Sequence, residues 1–403
     1  MYGLTEVFSL LLALTGFGVD ANPHAPPPDQ VLEHAVPDAD LIAYVDVAAI
    51  VPRNFKALSD LPRDPMIRQS PDLVRATQEI VQEANAGRAM VQGLTGVDLV
   101  NDITSVSAFM KFKPGHGDDD FDGVIEIRGH IPPDLIAKIA RTSGAHVDTI
   151  DGRSGIALDA KTYLGMTRSG TILVGTTALV RPRLADAWRA PPRPARSTLA
   201  RVAQALDEKP FALYAFQPSR TLIREIERKG GDNYGVDLVK DTSLAILGLR
   251  ADGVMWAGYM RSRSGAERLA MASDGVIDLM RASQIAPRGV AKLAVAALDS
   301  YRGKSKDLDL LIRHKADILK IVDQYTGDGQ FKATIDKDPR QRSVVVHALA
   351  GHISEVLPIG FLIPMGVGGA LYGMRSGSTA TPSGPAWRAQ PPASAGHHHP
   401  AHP

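Results

Sequence analysis

Apolar residues follow two different periodicities along the chain. Residues 41–47 are rich in apolar and β-branched types, which predicts a strand. In residues 72–94 apolar positions recur at the three- and four-residue spacing of a helix. Residues 104–112 and 124–131 again favour strands and predict a hairpin, and a helix over 135–142 follows. This succession predicts an α+β fold, in which helices pack on an antiparallel sheet.

The same succession returns in the second half of the chain. It predicts a strand over 211–216, a helix over 219–229, a hairpin over 244–260, a helix over 265–281, a helical region over 304–325 and a last hairpin over 330–348. We therefore expect two tandem, duplicated modules, module one over 37–180 and module two over 208–352. An Arg- and Pro-rich linker with a helix, residues 181–207, joins them. Such a linker is expected to be solvated, and the alternative is a patch that binds anions.

A repeated motif supports the duplication. Gly96-Val-Asp-Leu-Val-Asn-Asp-Ile-Thr-Ser105 recurs as Gly235-Val-Asp-Leu-Val-Lys-Asp-Thr-Ser243, with eight of nine residues identical once Ile103 is set aside. We expect the glycine to end a helix, the first aspartate to stabilise a turn and the second to precede a strand. The other interpretation makes Asp98 and Asp237 equivalent ligands.

The N-terminus has the pattern of an export signal. An apolar stretch over residues 7–19 precedes small residues at Val19 and Ala21, so residues 1–21 are predicted to be a signal peptide. Residues 22–36 follow as a Pro-rich segment that we expect to be disordered. A positive n-region is missing and Glu6 is negative, which leaves three alternatives: a start further upstream, an uncleaved anchor or a buried helix.

A second apolar stretch lies near the C-terminus. Residues 356–374 carry no charge, and nineteen residues of helix span about 28 Å, close to the hydrocarbon thickness of a bilayer. We predict a transmembrane helix over 354–374; the alternative is a Gly-rich buried hairpin or core helix. Arg375 and Arg388 follow the stretch, which places the tail in the cytoplasm and the modules outside it. The tail, residues 375–403, is expected to be disordered.

Composition excludes several classes of function. Of 403 residues, 45 are Lys or Arg and 44 are Asp or Glu, so the near-neutral balance argues against a nucleic-acid partner. Cysteine is absent, which excludes disulfides, thiolate catalysis and Cys-ligated metals. The usual nucleotide-binding, zinc-protease and nucleophile-elbow motifs are also absent, and we predict no cofactor and no catalytic residue.

Two weak candidates for a metal site remain. Asp118, Asp120 and Asp122 have the D-x-D-x-D-G spacing of a calcium loop, but Gly129 stands where the loop needs a glutamate. A flexible histidine cluster at the C-terminus could bind a transition metal. It consists of His397, His398, His399 and His402.

A Pro37-Asp-Ala-Asp-Leu41 strand start together with the repeated motif resembles uncharacterised bacterial envelope proteins of a domain family of unknown function. The resemblance covers residues 37–350 and implies an exported N-terminus and tandem α+β modules, with no catalytic residues to transfer. The sequence thus predicts a non-catalytic protein of the cell envelope, anchored in the inner membrane, with a binding or structural role. Its partner would be another envelope protein, a second copy or an unknown ligand. The alternatives are an envelope hydrolase with a site in the cleft between modules, and a soluble cytosolic protein.

Overall fold

Twelve strands form one sheet in the order β11-β12-β10-β9-β8-β1-β2-β3-β7-β6-β5-β4, and all neighbouring pairs are antiparallel. The strands are β1 Leu41–Asp46, β2 Ile103–Phe112, β3 Phe121–Gly129, β4 Val147–Ile150, β5 Arg153–Ala157, β6 Thr162–Met166, β7 Ile172–Thr176, β8 Ala212–Phe216, β9 Thr242–Arg250, β10 Gly253–Met260, β11 Phe331–Asp338 and β12 Ser343–Ala350. The computed structural model describes residues 25–63, 68, 71–113, 121–230, 234–278 and 331–350.

Helices cover both faces of this sheet. They are α1 Pro28–Val31, α2 Val47–Asp60, α3 Pro71–Thr95, α4 Leu135–Ser143, α5 Thr177–Leu184, α6 Thr198–Asp207, α7 Arg220–Gly230, α8 Tyr234–Asp241 and α9 over residues 263–278, with a short 3₁₀ turn at Leu61–Arg63. The predicted class, helices packed on an antiparallel sheet, is therefore confirmed.

The alternation of side chains along each strand creates two cores. On one face Ile42 of β1 and Phe109 of β2 pack under α1, α5 and α6. On the other face Val45 and Val106 of the same strands pack under α2 and α4. A third cluster joins α9 to β11 and β12. Because both faces are covered, a polar residue on a central strand lies in the interior.

The two halves of the sheet meet at the β1–β8 pair, where Leu41 to Val45 are bonded to Phe216 to Ala212. Outward from this pair the order is β1-β2-β3-β7-β6 on one side and β8-β9-β10-β12-β11 on the other. The β2–β3 pairing shifts register between Ile103 and Ser105, and the β9–β10 pairing shifts between Tyr259 and Met260.

The expectation of disorder over 22–36 is wrong for residues 28–36. α1 begins at Pro28, a position where proline is tolerated in a helix. Val31, Leu32, Ala35 and Val36 are all buried in the core. Their spacing is that of a helix face, a signal hidden by the prolines just before it.

The linker over 181–207 is solvated in its middle, where residues 185–198 are exposed or half-buried, but both of its ends are packed into the structure. α5 runs across its predicted start, and Arg183 near the end of α5 is buried. α6 at its other end contributes Leu199, Val202 and Leu206 to the core. Arg183 can lie in the interior because its guanidinium N–H groups donate hydrogen bonds to backbone carbonyls there.

The repeated motif adopts two structures. Gly96 ends α3 with a φ of 77°, and its N–H donates to Gln92 O at 2.7 Å. The second copy, from Gly235 to Asp241, lies inside α8, so the expectation of a turn there is wrong. Arg88, which donates from Nε to Asp98 Oδ1 at 2.8 Å, ties the first copy into its turn. Asp237 instead pairs with Lys240 one turn along its own helix, so the two aspartates are not equivalent ligands.

Several predicted segments lie outside the described residues: the signal peptide 1–21, the helical region 304–325, the transmembrane segment 354–374 and the tail 375–403. Among the helices that the structure describes, none combines the length and hydropathy needed to cross a membrane.

Candidate functional site: a buried ionic cluster

Four ionisable side chains meet beneath the N-terminal segment; we call His34, Glu126, Arg128 and Arg183 the ionic cluster. Glu126 and Arg128 lie two residues apart on β3, so they share the face of the sheet that also carries Val124. Arg183 comes from α5, and His34 follows α1. The cluster is thus built by a strand, by the helix α5 and by the segment that leads into β1.

The cluster is buried deeply. Glu126 is 0% exposed, His34 2% and Arg183 6%. Removing such groups from water costs several kcal/mol per ion unless they are paired. Arg128 supplies the partners: its guanidinium lies directly against the Glu126 carboxyl group, and its Nη2 lies 2.9 Å from Glu33 Oε2.

The remaining donors of both arginines bind the backbone of the N-terminal segment. Arg183 donates from Nε to His34 O at 2.9 Å and from Nη2 to Ala35 O at 3.0 Å. Arg128 donates from Nη2 to Gln30 O at 2.7 Å. These carbonyls belong to a helix of only four residues and the turn after it, so they have few helical partners. The two arginine side chains therefore supply the hydrogen bonds that backbone N–H groups would supply to these carbonyls in a longer helix.

Trp188 completes the enclosure. Its indole Nε1 donates to Glu33 O at 3.3 Å, and its ring stacks on the Arg183 guanidinium at 4.4 Å. The His34 ring lies 6.3 Å from the same indole. An aromatic face beside a buried guanidinium offsets part of its desolvation.

Burial shifts the protonation of the cluster. It raises the pKa of Glu126 to about 8, although Arg128 and Arg183 pull in the other direction. It lowers the pKa of His34 to about 4, and both arginines add to that effect. It also lowers the pKa of Arg183 to about 10, against the attraction of Glu126. Near neutral pH His34 is neutral and Glu126 is mostly protonated.

An acid with a raised pKa beside a histidine is a combination that active sites use. Here the geometry is closed. The adjacent cavity, about 300 Å³, is lined by Arg128 with Thr104, Ser169 and Thr171, whereas Glu126 and His34 are not among its lining residues. The ring nitrogens of His34 make no hydrogen bond to the described residues. Of the four cluster residues Arg128 lines this cavity, whereas the acid and the histidine do not face it and lie against a segment of their own chain.

In the second half of the sheet the positions that correspond to Glu126 and Arg128 carry different residues. Counted from the register shift, β10 carries Ala257 and Tyr259 where β3 carries Glu126 and Arg128. The Tyr259 ring packs against the Arg201 guanidinium of α6 at 3.8 Å. The described residues therefore hold the buried acid–base combination in the first half only.

The predicted metal residues do not converge in the described structure. Asp122 forms an ion pair with Lys113 at 2.8 Å across the β2–β3 hairpin. Asp118, Asp120 and the histidines 397–399 and 402 lie outside the described residues. Within the described ranges no three metal-ligating side chains come together.

Sequence reasoning missed the ionic cluster. From Ile125 to Arg128 apolar and charged residues alternate, which is typical of a strand with one face in water. The available signal was the apolar spacing of Val31, Leu32, Ala35 and Val36, which predicts a helix able to cover that face.

Comparisons with known proteins are sparse. No protein-family model matches the chain, and no curated protein matches it. A solved structure titled "Structure of crystal form I of TP0453" is similar over 83% of this chain and 98% of its own, with 10% sequence identity and a TM-score of 0.33. The resemblance to envelope proteins of unknown function remains a prediction.

Proposed function

We propose that the protein is an exported envelope protein, anchored in the inner membrane with its body outside the cytoplasm, and that its role is binding or structural, not catalytic. The export pattern over residues 1–21 and the uncharged stretch over 354–374 support the location. Arg375 and Arg388 after the stretch support the orientation.

The observation that carries the non-catalytic role is the use made of the buried charges. Arg128 and Arg183 spend their donors on backbone carbonyls and on Glu126, so these groups stabilise the fold. A catalytic acid or base must instead reach a proton on a substrate.

The hydrolase alternative requires a cleft between the halves. The halves are joined by five residue pairs between β1 and β8 and by Asp46 N–H donating to Phe211 O at 2.8 Å. Continuous sheet occupies the place where the cleft was expected. This favours a binding or structural role over the inter-module hydrolase.

We also propose that the two halves arose by duplication of one unit. The strand orders match outward from the middle, and each half opens with a helix, α1 before β1 and α6 before β8. After the last residue of β3, His130 N–H donates to Asp102 O at 2.7 Å; after β10, Arg261 N–H donates to Asp241 O at 2.6 Å. On this correspondence Ile103 matches Thr242, so the two copies of the motif align without a gap. The unit starts near residue 28 and again near residue 199.

Membrane fractionation tests the location. The full chain with a C-terminal epitope should stay in pellets washed with carbonate, and protease outside spheroplasts should digest the modules and spare the epitope. Leu362→Arg places a charge near the middle of the stretch, at a cost of about 2.5 to 3.5 kcal/mol on insertion scales, and should shift the protein toward the wash.

The control is Leu357→Arg, which puts the same charge at the end of the stretch where it can reach the interface. If the unsubstituted protein leaves the membrane in carbonate, the anchor is refuted. Recovery in the cytosolic fraction would support the soluble alternative.

A further inference from the structure

The helices that open the two halves are held by different means. α6 has ten residues, and Ser197 caps it by accepting a hydrogen bond from Ala200 N–H at 3.2 Å. α1 has four residues and no side-chain cap. The N-terminal segment over 28–36, which we call the strap, instead depends on the ionic cluster for its hydrogen bonds. Because this cluster also encloses Glu126 and His34, which titrate, closure of the strap responds to pH in a way that a capped helix does not.

We propose that the strap is a pH-gated element: the ionic cluster holds it closed on the sheet most firmly in mildly acid solution, and it opens locally, with the rest of the sheet intact, as the solution becomes alkaline. The proposal concerns residues 28–36 and does not depend on the location proposed above.

Among the described residues, the charged groups that face the two titrating side chains are within the cluster or next to it. Glu126 is faced by Arg128 on its own strand, by Arg183 from α5 and by Glu33 from the strap. His34 is faced by Glu33, Arg128 and Arg183. Opening the strap removes Glu33 and His34 from this environment and lets water reach Glu126.

Glu126 makes the closed state sensitive to alkali. The pKa of Glu126 is about 8 when the strap is closed and returns toward 4.5 when the strap is open. At a pH between these two values Glu126 is therefore protonated in the closed state and ionised in the open state. Opening therefore becomes easier as pH rises through this window. Above about pH 8 both states have lost the proton and the effect levels off.

His34 acts in the opposite direction. The pKa of His34 is about 4 when the strap is closed and returns toward 6.5 when the strap is open. At a pH between these two values His34 is therefore neutral in the closed state and protonated in the open state. Acid therefore favours opening through His34. The two effects cancel between roughly pH 4.5 and 6.5, and above that range Glu126 acts alone, which gives an increase in opening of about tenfold between pH 6 and pH 8.

The absence of cysteine allows a direct test by thiol labelling of the native full chain. Ala35→Cys places a thiol in the strap, and Ala108→Cys places one in β2; both alanines are fully buried. Labelling rates are divided at each pH by the rate of a free cysteine peptide. We expect opening at position 35 to be lowest near pH 5 to 6 and to rise about tenfold by pH 8. At every pH it should far exceed opening at position 108, because a thiol there is exposed only when the sheet itself unfolds.

Two variants in the Ala35→Cys background separate the titrating groups. Glu126→Gln should abolish the alkaline rise and leave opening that increases only below pH 6.5. His34→Gln should keep the alkaline rise and remove the flat minimum, so that opening falls steadily toward pH 4.5. If Glu126→Gln does not fold, His34→Gln still tests the proposal.

Three results would overturn it. Equal labelling with equal pH dependence at positions 35 and 108 would mean global unfolding. A labelling rate at position 35 that stays constant between pH 6 and 8 would show that the strap is not gated by pH. An alkaline rise that survives Glu126→Gln would assign it to another group.

Discussion

Asp40 is the side chain whose loss should show how the two halves are fastened together. It is 1% exposed and lies just before β1. Its Oδ2 accepts a hydrogen bond from Phe112 N–H at 2.9 Å, and its Oδ1 accepts one from Ser219 N–H at 2.7 Å. One carboxylate thus satisfies the end of β2 in the first half and the start of α7 in the second.

Asp40→Ala leaves both N–H groups, which lie in partly buried hydrogen bonds, without their acceptor. Each such group costs about 1 to 3 kcal/mol, so we expect a loss of about 3 to 5 kcal/mol in the free energy of unfolding. Asp40→Asn keeps one acceptor oxygen and turns an amide donor toward the other N–H, which predicts an intermediate loss of about 2 kcal/mol.

The assay is equilibrium unfolding of the full chain in urea, followed by tryptophan fluorescence, with hydrogen exchange of the Phe112 and Ser219 amides. Asp38→Ala is the matched control, because the Asp38 side chain is 62% exposed and, within the described part of the chain, pairs with Lys111 at the surface. It should change stability by less than about 0.5 kcal/mol. If Asp40→Ala is no more destabilising than Asp38→Ala, or if the two amides exchange as before, the reasoning is refuted.

The remaining predictions concern a close backbone contact, an acid-sensitive turn and the ionic cluster. Gly129→Ala would bring a Cβ to 1.9 Å from Asp102 O, so the midpoint of urea unfolding should fall sharply. A Cβ at Gly93 would meet open space, so the control Gly93→Ala should stabilise α3 by about 0.5 to 1 kcal/mol. Equal unfolding midpoints for the two variants would contradict this reasoning. A hydrogen bond from Arg88 holds the pKa of Asp98 at about 2, so its stabilisation is present above pH 4 and lost as pH falls toward 2; an acid titration of helix ellipticity should be flatter in Asp98→Asn. Arg183→Met removes the donors to the strap and leaves Glu126 with one cation fewer, so we expect the free energy of unfolding to fall by about 3 kcal/mol or more. Arg183→Lys should lie between this variant and the wild type. A fall below about 1 kcal/mol in Arg183→Met would show that the carbonyls of the strap find other partners.

The sequence by itself determined the class of fold. Strand and helix periodicities are local properties, and residues 41–47, 104–112 and 244–260 carry them without help from the rest of the chain. The repeated order of elements was visible in the same way. Predictions about residues 1–21 and 354–374 remain predictions from sequence, because they lie outside the described residues.

Tertiary contacts decided the structure of the repeated motif. Gly96 to Asp102 and Gly235 to Asp241 differ at one position, yet the first is a turn and the second a helix. Arg88 from the preceding helix binds Asp98 and fixes the turn, whereas Asp237 pairs within α8. Nearly identical local sequence carries nearly identical intrinsic preferences, so a partner from elsewhere in the chain settled the difference.

Burial of the ionic cluster was likewise decided only in three dimensions. Glu126 and Arg128 alternate with apolar residues, as on a strand exposed to water, and Arg183 stands in a stretch that resembles a linker. The strap and α5 cover that face, and they do so because Arg128 and Arg183 satisfy carbonyls that a four-residue helix leaves free. Sequence periodicity records which face of a strand is polar, but whether water or another segment meets that face depends on contacts between residues up to 155 positions apart.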